Sequence, residues 1–256
     1  MKEFLYKLLN LATLGRGMKR VINGHEVRLP TRFYRFFPDN YESENFKFLF
    51  ASCKKGDTVL DIGAHIGLFS AIAAKAVGSE GKIYAFEPSP TTNKLLQKTV
   101  AINHAQNIIT TFQKAVGGEV GKTTFFVSDA QADNANSLVK YKEDRPSLHG
   151  IDIEVTTIDE FVKEQQFTKI DFIKIDVEGV EYDALKGATG TFKKFKPKSI
   201  LAIHPEAVKA KGDSLEGIYD LVQQLNYTAL YNDRPISRDE FCASTDLIDL
   251  NLVPAQ

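Results

Sequence analysis

The sequence predicts an α/β fold built on a mostly parallel sheet. Three observations lead there: short β-branched or aromatic runs alternate with helical segments from Asp57 onward, a glycine-bearing turn joins the first such run to the first helix, and the same alternation resumes from Asp159 to Tyr231. Parallel strands joined by right-handed crossovers gather ligand-binding groups at the strands' carboxyl ends.

In order, the first segment carries Phe4, Leu5, Leu8, Leu9, Leu11, Ala12 and Leu14 at helical spacing. Val21 to Leu29 reads as a strand or hairpin, and Glu42 to Cys53 as a helix leading into the sheet. Residues 1–56 thus form an N-terminal extension to a domain over 57–256. That domain starts with strand Thr58 to Ile62, a turn over Gly63 to Gly67 and an Ala-rich helix, Leu68 to Val77. Strand Lys82 to Phe86, helix Pro90 to Asn103 and a third strand, Ile108 to Val116, complete a β-α-β-α-β unit. Strands Lys122 to Ser128 and Ile151 to Thr157 flank a polar loop, Asp129 to Gly150, of the length that often serves function. Helix Asp159 to Gln165, strand Ile170 to Ile175, helix Val180 to Lys186, strand Ser199 to Ile203, helix Ser214 to Asn226 and strand Tyr227 to Tyr231 follow.

At 256 residues, 43% hydrophobic and 25% charged, the chain can bury a sizeable core. Its net charge of −1 argues against general nucleic-acid binding. Cys53 and Cys242 match no metal or redox spacing, which points to a reducing compartment and a cytoplasmic protein. The charge is uneven: residues 1–38 hold eight Lys and Arg against two Glu, a net +6, leaving −7 for the remainder. The first apolar stretch is far short of the ~20 residues needed to span a bilayer. A helix packed on the body is the preferred reading, with weak association at the inner membrane face as the alternative.

The segment Asp61-Ile62-Gly63-Ala64-His65-Ile66-Gly67 ends a strand, turns and enters a helix. Gly63 allows a tight turn and close backbone approach by a ligand. A dinucleotide cradle would have glycine where Asp61 stands, and an acid there repels phosphate while suiting an ammonium group. The next strand ends in Phe86-Glu87-Pro88, where a carboxylate can accept hydrogen bonds from a ribose diol. Together these specify a nucleoside bearing a cation and no phosphate, a description that S-adenosylmethionine meets. Asp61, Gly63, His65, Gly67, Glu87 and Pro88 are the candidate cofactor residues, with Ala115 at the third strand end placed beside the adenine.

A second motif, Ile173-Lys174-Ile175-Asp176-Val177-Glu178-Gly179-Val180-Glu181, runs a buried strand into a helix. Asp176 and Glu178, two apart, would point to one side of an extended strand end. Glu181 and Asp183 read as helix-start electrostatics. With D-I-G-A-H-I-G and F-E-P before it, I-K-I-D-V-E-G-V-E resembles the FkbM family of S-adenosylmethionine-dependent methyltransferases over roughly Tyr41 to Leu230, although His65 stands where the family usually has Asn. The resemblance implies a class I methyltransferase fold, a Rossmann-like three-layer sandwich with a mostly parallel seven-stranded sheet and a small N-terminal extension. It also implies O-methylation of a sugar, glycan or secondary metabolite.

Such transfer is an in-line displacement that gains from alignment and from a base near the acceptor hydroxyl. Asp176 is a candidate for binding the methionine ammonium, binding the acceptor or taking its proton, with Glu178 at the acceptor. His204, ending the next strand in His204-Pro205-Glu206, is a candidate base oriented by Glu206, and Glu206 is itself a candidate; a plain strand-ending turn is the alternative. Asp176, Glu178 and His204 also offer ligands for a divalent ion, though at no recognised metal spacing. His25, His104 and His149 read as solvated. Phe33, Tyr34, Phe36 and Phe37 read as core, or as an acceptor wall. A nicotinamide-dependent oxidoreductase and a non-catalytic scaffold are the competing functions; the small-molecule or carbohydrate acceptor and the oligomeric state are not identified by the sequence.

Overall fold

The computed structural model describes residues 2–128 and 148–255. Residues 129–147 of the polar loop, with Asp133, Asn134, Asn136, Ser137 and Arg145, lie outside these. In chain order the elements are α1 (Lys2–Ala12), β1 (Met18–Ile22), β2 (His25–Leu29), a single 3-10 turn (Thr31–Phe33), α2 (Ser43–Ser52), β3 (Thr58–Ile62), α3 (Leu68–Val77), β4 (Lys82–Phe86), α4 (Pro90–Ile102), β5 (Ile109–Phe112), β6 (Ala115–Val116), β7 (Gly121–Ser128) and β8 (Leu148–Thr156). Then come α5 (Ile158–Glu164), β9 (Phe172–Ile175), α6 (Glu181–Lys186), α7 (Thr189–Phe195), β10 (Lys198–Ile203), α8 (Pro205–Lys211), α9 (Leu215–Gln224), β11 (Tyr227–Tyr231), β12 (Arg234–Pro235), α10 (Arg238–Cys242) and β13 (Ile248–Pro254).

The main sheet has the order β12-β11-β13-β10-β9-β3-β4-β5. β10, β9, β3, β4 and β5 run parallel, while β13 is antiparallel to both its neighbours. Eight strands stand where seven were expected, because Asn232 and Asp233 both adopt positive φ and fold the two-residue β12 back onto Tyr231. The expected strand Ile108 to Val116 is divided: β5 stays in this sheet, and after Gln113-Lys114 the chain leaves it to place β6 beside β8 in a three-stranded sheet with β7.

Alternation along the central strands sorts the core onto two faces. Leu60, Ile62, Ile173 and Ile175 pack with Phe161, Leu185, Phe192, Ile218 and Phe241 on one side. Val59, Ile83 and Phe172 pack with Leu49, Phe69, Ile72 and Leu96 on the other. The result is helix, sheet, helix. Ile22, Val27, Leu29, Phe33 and Phe46 of the N-terminal extension belong to the second cluster, so β1, β2 and α2 complete that face.

The strand order reverses at β3, with β4 on one side and β9 on the other. The carboxyl ends of β3 and β9 therefore open the crevice that such sheets offer to ligands.

Candidate active site

Four strand ends make the walls of one cavity. The turn after β3 contributes Gly63, Ala64 and His65; the end of β4 contributes Glu87 and Pro88; the chain past β5 contributes Lys114, Ala115 and Val116; and the turn after β9 contributes Asp176, Val177 and Glu178. Gly63 sits at φ +83°, and a Cβ there would lie 1.8 Å from the Asp176 carbonyl oxygen, so only glycine lets the two turns meet. The turn is fixed by N–H groups of Gly63 and Ala64, which donate to the Phe86 carbonyl at 3.0 and 2.8 Å. Gly67, at φ +84°, begins α3 and packs on Leu96, behind the wall.

Glu87 is buried at the centre of this arrangement. Its Oε2 accepts from the His65 N–H at 3.1 Å and its Oε1 from the Ser89 N–H at 2.9 Å. Burial raises its pKa to about 7 against those two hydrogen bonds, which favour the charged form. Each oxygen retains accepting capacity for a diol.

Beneath the wall lies an ionic cluster. Asp61 and Lys174 are direct cross-strand partners between β3 and β9, both on the α2–α3 face. Lys174 Nζ donates to Asp176 Oδ2 at 2.7 Å, stands 3.9 Å from Glu42 Oε2 and lies over the Phe69 ring at 5.3 Å. Burial opposes its charge, but Asp176, Glu42 and Asp61 hold its pKa well above the ordinary value. Asp61 accepts from the Ser70 hydroxyl, and its buried Oδ1 has no hydrogen-bond partner among the described residues. Burial lifts the Asp61 carboxyl to about 6, and lifts that of Asp249, which accepts from the Asn45 amide at 2.9 Å, to about 6 as well. For Asp176 burial again opposes the charge, but Lys174 and then His204 keep its pKa below the usual value.

His204, following β10, stands behind the Asp176–Glu178 wall. Its Nδ1 is 2.7 Å from Glu181 Oε1, while its Nε2 is 3.6 Å from Glu178 Oε1 and 3.9 Å from Asp176 Oδ1. Glu181 is fully buried, also accepts the Gly179 N–H at 3.0 Å, and its Oε2 has no hydrogen-bond partner among the described residues. Burial disfavours the imidazolium, yet Glu181, Glu178 and Asp176 raise the His204 pKa to about 9. At neutral pH the ring is charged and has no lone pair with which to take a proton.

Of the residues expected at a cofactor, the structure brings Gly63, His65, Glu87, Pro88, Ala115 and Asp176 to the wall and sets Asp61 and Gly67 behind it. Asp176 and Glu178 do face one cavity, but through a turn: β9 ends at Ile175, and Glu178 and Gly179 have φ of 49° and 104°. Glu206 is exposed on the first turn of α8, and the carboxylate holding His204 is Glu181. Among the described residues no group of three His, Cys, Asp or Glu is arranged to hold a metal ion. Phe33 and Phe37 are buried, Phe37 also lines the cavity with Tyr41, Phe46 and Phe69, and Phe36 is half exposed against His65. His25, expected in solvent, stacks on Phe50 at 4.0 Å.

Sequence reasoning passed over Lys174, Glu42 and the burial of Glu181. A lysine inside an otherwise apolar strand, F-I-K-I, was the available signal for the first.

An acid-rich rim with no phosphate-type glycine cradle suits a cationic nucleoside, with Glu87 toward the ribose and the carboxylate excess toward positive charge. S-adenosylmethionine fits this donor set. The methyltransferase FkbM domain family matches residues 61–229. The methyltransferase sdnD of Sordaria araneosa is 29% identical over 154 residues, which span 50% of this chain and 59% of that one. The hexuronic acid methyltransferase AglP of Haloferax volcanii is 25% identical over 153 residues, 59% of this chain and 58% of its own. The chain therefore spans under two thirds of the length of either relative. Among solved structures, a putative rRNA methylase from Clostridium thermocellum shares the fold at a TM-score of 0.52 and 11% identity, over 84% of this chain and 95% of that one.

Proposed function

The chain belongs to the FkbM methyltransferase family, and on that premise we propose that it transfers the methyl group of S-adenosylmethionine to a hydroxyl oxygen of a sugar, glycan or secondary metabolite. The observation that carries the reading is Glu87, buried at the second strand end with both oxygens fixed by backbone N–H groups, in one cavity with the Asp176–Glu178 rim. Bound there, S-adenosylmethionine supplies an electrophilic methyl carbon on a sulfonium. Glu87 accepts the ribose hydroxyls, the turn at Gly63 to His65 gives a close backbone wall, and the backbone around Ala115 borders the base.

The carboxylates of Asp176 and Glu178 would stabilise positive charge near the sulfur, and one of them would take the proton that the acceptor hydroxyl gives up as its oxygen gains the methyl group and S-adenosylhomocysteine leaves. His204 acts as a fixed imidazolium: held by Glu181, it sets the positions of the two rim carboxylates and limits their mutual repulsion. Lys174 fixes Asp176 alone, through its other carboxylate oxygen. Aromatic side chains of Phe37, Tyr41 and Phe46 exclude water from the cavity. A sugar acceptor is favoured by the hexuronic acid acceptor named for AglP.

The test is to incubate the protein with S-adenosylmethionine carrying a labelled methyl group and fractionated lysate, and to identify the labelled product. Label on a hydroxyl oxygen of a carbohydrate or small metabolite supports the reading. Label on nitrogen, carbon or nucleic acid, or label that persists in Glu87→Ala, overturns it.

A further inference from the structure

The N-terminal extension presents an apolar and basic face that the cavity does not use. Leu8 and Leu11, three apart on α1, and Leu14, just past its end, are 47%, 70% and 76% exposed. Leu14 is also held at φ 49°, a left-handed conformation that disfavours a branched side chain and that glycine would adopt freely. A leucine thus occupies a helix-ending position where it is both strained and turned to solvent. α1 packs beside the Thr31–Phe33 turn and is tied to the body by Lys98 Nζ, which donates to Asn10 Oδ1 at 3.0 Å. From that turn the path to the cavity is short: Phe33 and Phe36 have ring centroids 5.6 Å apart, and Phe36, 48% exposed, lies 6.4 Å from His65 on the cavity wall. Arg16, two residues past Leu14, and Arg35, next to Phe36 in the chain, are exposed, within a segment of net charge +6 on a body of −7.

We infer that this face is a docking surface for an anionic lipid bilayer, seating α1 in the headgroup layer with the cavity mouth beside it. Exposed leucines with surrounding cations are the combination that binds such surfaces, through apolar insertion and attraction to acidic headgroups. At 11 residues, about 16 Å, α1 lies along the interface; no described helix is long and apolar enough to cross a membrane. A two-fold pairing of this face with a second copy would set one basic segment against another, which disfavours self-association there. The inference stands apart from methyl transfer, since no rim residue takes part in it.

The test is cosedimentation of the full chain with vesicles of equal parts phosphatidylcholine and phosphatidylglycerol, and with phosphatidylcholine alone. The chain sediments with the mixed vesicles only, and raised salt releases it. Leu11→Glu with Leu14→Glu lowers partition by at least about tenfold. Leu14→Gly, which relieves the backbone, lowers partition while raising Tm, which separates lost docking from lost folding. Absence of binding to the mixed vesicles, equal binding to neutral ones, or unchanged binding by these variants overturns the inference. So does a dimer in solution that the leucine substitutions split, since a second copy would then cover the face.

Discussion

Lys174→Met removes the lysine charge beneath the rim while keeping side-chain volume. Lys174 Nζ is 2.7 Å from Asp176 Oδ2 and 3.9 Å from Glu42 Oε2, and its strand position faces Asp61. At an effective dielectric constant of about 20 those two distances correspond to about 6 and 4 kcal/mol of gross attraction. Desolvation of the lysine offsets much of this, and removing one partner of a buried pair costs about 3–5 kcal/mol net. For a chain of this size that lowers Tm by on the order of 10 °C at pH 8. The pH dependence is diagnostic. Asp61 and Asp249 already titrate near 6 with the lysine in place, so without it they rise further and take up protons as pH falls. Their penalty is present at high pH and relieved through about pH 6, and the gap between variant and wild type narrows from pH 8 to pH 5. Thermal unfolding followed by circular dichroism across that range checks this. Equal Tm values at pH 8, or a deficit unchanged down to pH 5, would refute the electrostatic account of the cluster.

Three further outcomes follow from the same geometry. His204 has a folded pKa raised to about 9 from 6.5, so its charge stabilises the fold fully below pH 6.5 and that contribution is lost as pH rises through about 9. His204→Asn should therefore be less stable by about 1–3 kcal/mol at pH 7 and nearly equal to wild type at pH 10; a deficit that grows with pH contradicts the assignment. Gly63→Ala places a Cβ 1.8 Å from the Asp176 carbonyl at positive φ, and should cost more than about 2 kcal/mol in urea unfolding and abolish cofactor binding, whereas wild-type behaviour would mean the turns do not meet. Glu87 titrates near 7 and ribose hydroxyls favour its ionised form, so affinity for S-adenosylhomocysteine should fall about twentyfold from pH 7.5 to 5.5 by calorimetry. A flat profile would remove Glu87 from the contact.

What the sequence made legible was local. Thr58 to Val77 announced itself because a strand, an acid, two spaced glycines and an apolar helix follow one another within twenty residues, and the structure keeps those boundaries. The Glu87 position followed from its place at the next strand end. Contacts that depend on distant segments were hidden. Glu181 looked like a helix-start acid because nothing near it in sequence shows that His204 lies 2.7 Å away. The division of the third strand into β5 and β6 depends on β8, some forty residues on, which draws Ala115 and Val116 into another sheet. Sequence reasoning passed over β13, although the period-two alternation of Ile248-Asp249-Leu250-Asn251-Leu252 was the available signal, and its insertion between β10 and β11 is a matter of tertiary pairing.

The central claim is that the cavity at the ends of β3, β4 and β9 binds S-adenosylmethionine through Glu87. Isothermal titration with S-adenosylhomocysteine tests it most directly, with NAD and Glu87→Ala titrated in parallel. The account predicts one site per chain for S-adenosylhomocysteine, no heat with NAD, and at least about thirtyfold weaker binding for Glu87→Ala, the loss expected when hydrogen bonds to a charged group are removed. Binding of NAD in place of S-adenosylhomocysteine, or unchanged affinity in the variant, would contradict it.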